Sequence, residues 1–473
     1  VKFTSQPSFL TARVVAVLAV VLTAAWVWAC FCLYPSHDWN AMRLAPSFML
    51  RAGLSPYPGP TAGPVTTWIY GPVPILLQLP ATLARGIVGA LLTAGLINLA
   101  IALVPLWFAV KTYLSPAAAR SAWLWAGLLA TAAWPATQLI FIQADNGAVA
   151  FGLLAGVALL SAGPRDTRRL WLGALALALT LWSKQTEIGP LLAALAYLLI
   201  RHGPRAAFDQ AVRCVAVGAL LGVLLLPLCG AEGLLYNMFV LPRGFPWTDL
   251  VAKAVHPIYR NYFLAQCVLP TVIVIVAARR IFRRDSPFLL PGLMFIFSLP
   301  FNLAGFATIG GNINSLHGGL YLLPAVAAAL VARPGPRSRG LPLVAVLVWS
   351  GLLLLQCAAQ RPLSFAPDVT ALRQAESLAR QLPCEIYFPW NPLLTYYADG
   401  RIDHAEDGLL TRRVAGRPVP AAVLRQYLPP RFCVVAFHRL VNDGIVKSLI
   451  PADAQCAVFG EWILYSWPPP GPP

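Results

Sequence analysis

Val14-Val-Ala-Val-Leu-Ala-Val-Val-Leu-Thr-Ala-Ala-Trp-Val-Trp-Ala-Cys-Phe-Cys-Leu33 carries no charge, and Tyr34-Pro-Ser-His-Asp-Trp-Asn40 follows it directly. At 1.5 Å per residue such a run covers the ~30 Å of hydrocarbon that a membrane-crossing helix must span. Lys2 and Arg13 precede it, and Val27-Trp28-Ala29 before Cys30 makes a poor lipoprotein cleavage site. The run therefore reads as an uncleaved signal anchor, because the chain behind it is just as apolar. Further spans are expected near 87–110, 121–142, 146–162, 170–183, 188–200, 211–229, 261–278, 287–306, 318–332 and 340–357, about eleven in all. Of the 473 residues, 58% are apolar and only 11% charged, against roughly a quarter charged in a soluble domain. A soluble enzyme and a transmembrane β-barrel are both excluded, and the expected fold class is an all-α polytopic membrane bundle.

The net charge of +17 would suggest nucleic acid in a soluble protein, but its distribution argues otherwise. With the N-terminus in the cytoplasm, the inner loops hold 17 cations against three acids, and the outer membrane loops seven against five. That asymmetry is the positive-inside pattern of a single orientation in the cytoplasmic (inner) membrane, so no nucleic-acid partner is expected.

An odd number of spans leaves residues 358–473 outside the cytoplasm, behind a membrane part at 1–357. Leu372 to Leu382 reads as an amphipathic helix. Glu385 to Phe388, Phe432 to Phe437 and Trp462 to Trp467 read as strands, which predicts a small extracytoplasmic α/β domain with a disordered Pro-rich end. Cys384, Cys433 and Cys456 fall in that domain, where two of the three can pair.

The outer loops carry the polar residues. The first, 34–86, is the longest: it holds His37 and Asp38, a short amphipathic helix over Met42 to Leu50, the turn Gly53-Leu-Ser-Pro-Tyr57, and Trp68-Ile-Tyr-Gly-Pro-Val-Pro74 leading into an interfacial helix. Asp38, just beyond the first span beside Trp39 and Tyr34, is a candidate general base; its alternative role is a helix cap. Asp145, in Gln143-Ala-Asp-Asn-Gly147, is either an orienting carboxylate or part of a tight turn. Lys184, Gln185 and Glu187 end a helix on the same side, where Lys184 either binds an anion or snorkels to the headgroups. Glu232 to Asn261 interleaves Arg243, Lys253, His256 and Arg260 with Tyr236, Trp247 and Tyr259, a pattern that suits a lipid phosphate with a sugar attached, or plain interfacial anchoring. Thr308 to His317 adds Asn312 and Asn314. Five outer segments thus bring polar residues to one face while the inner loops are short and merely basic, so the working site is expected to face outward; with no Walker loop, no Rossmann fingerprint and no His/Cys metal spacing, a soluble nucleotide-sugar donor on the cytoplasmic side is disfavoured.

At these residues the sequence resembles the GT-C class of integral-membrane glycosyltransferases, which use polyprenyl-phosphate sugars as donors. His37-Asp38-Trp39 matches the acidic residue after the first span. Gly53-Leu-Ser-Pro-Tyr57 is similar to the family's Gly-x-x-Pro-Tyr turn, and Tyr70-Gly-Pro-Val-Pro74 to its Tyr-Pro-Pro-type helix start. Asp145 resembles the acid of the second outer loop, Ser183-Lys184-Gln185-Thr186 the Lys-Gln-Thr helix end, and Gly310-Gly-Asn-Ile-Asn314 a Gly-Gly-x-x-Asn turn. The likeness covers most of residues 10–357.

The resemblance implies sugar transfer with inversion from a polyprenyl-phosphate donor to a hydroxyl of a glycan, lipid or protein. Asp38 would be the base, Lys184 with Arg243, Lys253 or Arg260 would hold the phosphate, and Asp145, Gln185, His37, Tyr57, Tyr70, His256, Asn312 and Asn314 would line the substrates. One acid stands where many relatives carry an adjacent pair, so use of a divalent cation is left open. Competing readings are a transporter or flippase of lipid-linked sugars, a polymerase or ligase of lipid-linked polysaccharide, and a catalytically inert scaffold for an envelope complex.

Overall fold

The computed structural model describes residues 9–33, 37–66, 68–116, 118, 120–134, 139–163, 165–332, 369–382, 384–439 and 444–468. Helix α1 (Phe9–Leu33) is uninterrupted, as expected of a stretch without glycine or proline. Helix α2 (Asp38–Arg51) and the short α3 (Val73–Leu77) belong to the first loop. Then come α4 (Ile87–Tyr113), α5 (Arg120–Ala132), α6 (Ala144–Leu160), α7 (Thr167–Ser183), α8 (Gly189–His202) and α9 (Pro204–Cys229). Gly203, at φ +92°, turns α8 into α9 in a single residue, a left-handed conformation that favours glycine.

After a loop with α10 (Leu250–Val255), α11 (Pro257–Val276), α12 (Leu289–Phe306) and α13 (Gly319–Ala332) complete the described bundle. Trp26 and Cys30 of α1 share a buried core with Leu106, Leu153, Leu177, Ala194, Met294 and Tyr321 from six other helices. On the outside, Val215, Ile275 and Val276 are 71%, 69% and 82% exposed. Apolar side chains turned outward along whole helices suit hydrocarbon, not water.

Among the described residues α4, α9, α11 and α12 are long and apolar enough to cross a membrane; five shorter apolar helices accompany them. The chain is thus a multi-pass membrane protein. The span expected at 340–357 lies outside the described residues.

The tail forms a four-stranded sheet in the order β1 (Glu385–Tyr387), β2 (Phe432–His438), β4 (Trp462–Ser466), β3 (Gln455–Phe459). β1 and β2 run parallel, the other pairs antiparallel. The parallel pair needs a crossover, supplied by α15 (Pro392–Asp399), α16 (Glu406–Val414) and α17 (Ala421–Gln426), while α14 (Thr370–Gln381) precedes β1. Cys384, just before β1, forms a disulfide with Cys433 of β2, and Cys456 is a free cysteine. β3 escaped the sequence reading. All five of its residues are exposed, so no burial alternation marks it.

One packing relation positions the site. Leu44 and Phe48 of α2 lie in a common core with Ile87 and Leu91 of α4 and with Ile386, Phe388, Val434 and Trp462 of the tail. Helix α2 is therefore clasped between bundle and tail. From the tail, buried Arg412 donates to the carbonyls of Pro58, Gly59 and Pro60, and His404 Nδ1 accepts from the Val65 N–H at 2.9 Å.

Candidate functional site

Helix α2 begins at Asp38, and its N-cap is His37, whose Nδ1 accepts the Trp39 N–H at 3.3 Å. The capping role weighed for Asp38 thus falls to its neighbour, leaving the carboxylate for other work. Asn40 Oδ1 accepts the Ile142 N–H at 3.0 Å, which fastens the first turn of α2 to the segment entering α6. Asp38 itself faces the tail: it is 8% exposed, with His438 Nδ1 at 3.7 Å from Oδ2 and the Asn391 side chain alongside. Burial pushes its carboxyl up to about 7, an effect that Asn391 partly offsets. A carboxyl poised there can take and release a proton near neutral pH.

The remaining face of α2 presents Arg43, whose guanidinium lies 5.2 Å from the Trp39 ring and 5.4 Å from the Tyr70 ring. Its Nε and Nη1 are buried without a hydrogen-bond acceptor among the described residues. Buried donors on a cation left unpaired in this way are able to take an anionic ligand.

Tyr70 is held by local geometry. The Tyr57 hydroxyl donates to the Tyr70 carbonyl at 2.7 Å, and Trp68 Nε1 to that of Gly71 at 2.9 Å. The Gly71 N–H then bonds the Ser183 carbonyl at 3.1 Å, so close to α7 that a Cβ at 71 would sit 1.8 Å from the Trp182 oxygen. Glycine is required at 71, and the Tyr70-Gly-Pro turn lands beside Lys184.

Lys184 belongs to a second cluster. Its Nζ is 2.5 Å from Asp145 Oδ1 and 3.9 Å from Glu187 Oε1. Asn314 Nδ2 donates to Asp145 Oδ2 at 2.9 Å. His317 bridges the two acids, Nε2 being 2.9 Å from Glu187 Oε1 and Nδ1 3.6 Å from Asp145 Oδ1, while Asn302 donates to Glu187 at 3.3 Å. All six side chains are buried. Each charge has an opposite charge or an amide against it, the condition under which ionised groups survive burial.

The predicted residues therefore divide. Asp145, Lys184 and Asn314 come together, and Asp38 takes its contacts from the tail. Gln185 spends its amide on the Ile69 and Met238 carbonyls, at 3.0 and 2.7 Å. Lys253 donates to the carbonyls of Phe306, Thr308 and Gly311, stapling the glycine turn. Asn312 and His256 cap short helical turns. Arg243 and Arg260 are exposed, Arg243 beside Gly416 and Arg417 of the tail.

The sequence reading missed Arg43, Asn302, His438 and Asn391, and gave Glu187 and His317 no part in the site. Glu187 and His317 stand three residues from Lys184 and Asn314, a spacing that could have found them. Nothing local marks His438 or Asn391. Among the described residues no group of three or more His, Cys, Asp or Glu side chains is arranged to hold a metal. The Asp145 and Glu187 carboxylates already face the Lys184 ammonium, so this cluster carries its own counter-cation.

No protein-family model matches the sequence, and no curated protein does. Solved structures do match. ArnT from Cupriavidus metallidurans in the apo state is similar at a TM-score of 0.62 and 15% identity, over 95% of this chain and 97% of that one. The same protein bound to undecaprenyl phosphate gives 0.61 and 13%, over 96% and 97%. The archaeal oligosaccharyltransferase AglB from Archaeoglobus fulgidus, in complex with an inhibitory peptide and a dolichol-phosphate, gives 0.51 and 13%, over 90% and 69%. The chain has the GT-C fold that its sequence resemblance implied.

Proposed function

We propose that this GT-C-fold protein is a membrane glycosyltransferase that moves a sugar from a polyprenyl-phosphate donor to an acceptor hydroxyl on the extracytoplasmic face, with inversion. The observation that carries the reading is Asp38: a carboxyl buried beside the outer end of the bundle, poised at about 7, in the loop where the family resemblance expects the base. The undecaprenyl phosphate bound by ArnT and the dolichol-phosphate bound by AglB support a lipid-phosphate donor here.

In this reading Asp38 takes the proton of the acceptor hydroxyl as its oxygen attacks the anomeric carbon. The bond from that carbon to the phosphate oxygen breaks, and its electron pair leaves with the lipid phosphate. Because the leaving group is already a stable anion, it needs a cation and no acid. Arg43 holds it through Nε and Nη1, its guanidinium lying beside the Trp39 and Tyr70 rings. Lys184 and Asp145, joined as a neutral pair, orient the sugar with Asn314, and the exposed Arg243 and Arg260 meet lipid headgroups.

The proposal extends to organisation. Residues 1–357 make the membrane domain, crossing about eleven times from a cytoplasmic N-terminus in the inner membrane. Residues 358–473 make an extracytoplasmic domain, to which the Cys384–Cys433 disulfide lends support, since disulfides persist in oxidising compartments.

The test is release of undecaprenyl phosphate by purified protein in lipid nanodiscs, from a panel of undecaprenyl-phosphate hexoses and pentoses given a cell-envelope acceptor extract. Wild type is expected to turn over at least one donor, and Asp38→Asn none. A well-folded Asp38→Asn protein that remains active would reject the assignment. Arg43→Ala is expected to weaken binding of undecaprenyl phosphate about tenfold in the same nanodiscs; unchanged binding would remove Arg43 from the phosphate site.

A further inference from the structure

The carboxylate assigned as base is the place where the tail touches the chemistry. β2 ends at His438, and antiparallel pairing sets His438 opposite Trp462 of β4. The two rings meet edge to face at 5.6 Å. Trp462 is itself fixed, fully buried and donating Nε1 to the Ala371 carbonyl of α14 at 2.8 Å. Sheet register and a locked tryptophan thus aim one imidazole at one oxygen, with His438 Nδ1 at 3.7 Å from Asp38 Oδ2 and both side chains largely buried.

That separation exceeds a hydrogen bond but lies within reach of one small rotation. Among the described residues, the groups facing the carboxylate from the elements packed on α2 are this imidazole and the Asn391 amide at the start of α15. Arg43, on α2 itself, turns to Trp39 and Tyr70.

We propose that His438 is a positioning residue of the transferase: by engaging Oδ2 it fixes the rotamer of Asp38, leaves Oδ1 to receive the acceptor proton, and makes the tail an integral part of the active site. The proposal rests on Asp38 being the base. Its chemical consequence is directional. A protonatable ring beside a buried carboxylate favours the charged form, so removing the ring must raise the pH at which Asp38 ionises and lower the rate at which the correctly oriented base acts. Binding of the lipid phosphate is untouched, since it uses other groups.

The experiment uses the full chain in nanodiscs with two variants, H438Q, which keeps a polar side chain, and H438F, which keeps the contact with Trp462. Asp38 ionisation is read as the pH-dependent carboxyl band in infrared difference spectra of wild type against D38N, and of each His438 variant against its own D38N partner. The expected result for both variants is a midpoint moved up by about one pH unit, kcat lowered about tenfold and KM for the undecaprenyl-phosphate sugar unchanged. An unmoved midpoint with unchanged kcat overturns the proposal, as does a rise in KM alone, which would mean that the tail serves substrate binding. Should D38N itself retain activity, the base assignment falls, and the infrared midpoint still decides whether His438 acts on the carboxylate. If one variant fails to assemble, the other carries both readouts.

Discussion

Asp38 and Asp145 are both buried carboxylates, joined through the Asn40–Ile142 bond at the start of α2 and the approach to α6, yet their surroundings differ in kind. Asp145 has an ammonium at 2.5 Å on one oxygen and an amide at 2.9 Å on the other. Asp38 has an imidazole at 3.7 Å and an amide alongside, with burial pushing it up to about 7. Burial alone does not make a base. A buried carboxylate matched by a cation is tied up in that pair, whereas one desolvated without a full counter-charge is left able to exchange a proton.

The widest way to break that comparison is to neutralise each acid in turn. Asp38→Asn is expected to abolish measurable transfer, a loss of at least about 10²-fold, while thermal unfolding stays at or above the wild-type midpoint, because the lost group was itself costly to bury. Asp145→Asn is expected to destabilise the protein by about 3–5 kcal/mol, since Lys184 keeps only Glu187 at 3.9 Å. Unfolding curves of the two variants measure the contrast; the opposite pattern would exchange their roles.

Acid sharpens it by loosening one side only. His404, buried and accepting the Val65 N–H, is pushed down to about 4 by burial, with Arg412 adding to the effect and a bond to the Val423 carbonyl opposing it. Its folded value lies below the ordinary 6.5, so its contribution, at most about 3 kcal/mol, is complete above pH 6.5 and is lost as pH falls toward 4. Protease sensitivity of the first loop should rise over that window, while the Asp145 cluster, which has no contact with His404, keeps its amide protection in hydrogen exchange.

The smallest effect is on rate. Because the base must be ionised, kcat/KM should climb with pH and level off above about 7, falling about tenfold per unit below it. A profile flat across that range would remove Asp38 from the proton transfer.

Much of this was legible in the residues. Uncharged runs such as 14–33 announce helices in hydrocarbon, because a backbone in lipid must satisfy its own hydrogen bonds. The order Asp38, Tyr57, Tyr70, Asp145, Lys184 and Asn314 reads as one set of polar loop residues, whereas the pairing of Asp145 with Lys184 and Asn314 appears only in the structure. Other expectations changed character. Lys184 emerges with its charge matched by Asp145, and Lys253 with its ammonium spent on three carbonyls. A lone lysine in a loop does not reveal which oxygens will surround it.

Sequence by itself determined that this chain is a membrane bundle with a small α/β tail and polar loops, since hydropathy and strand alternation are local and additive along the chain. Only the tertiary structure decided which acid is saturated and which is poised, because ionisation depends on what is brought within a few ångströms. His438 and Asn391 reach Asp38 from some 400 and 350 residues away, through a sheet register and a helix start that no short window of residues encodes.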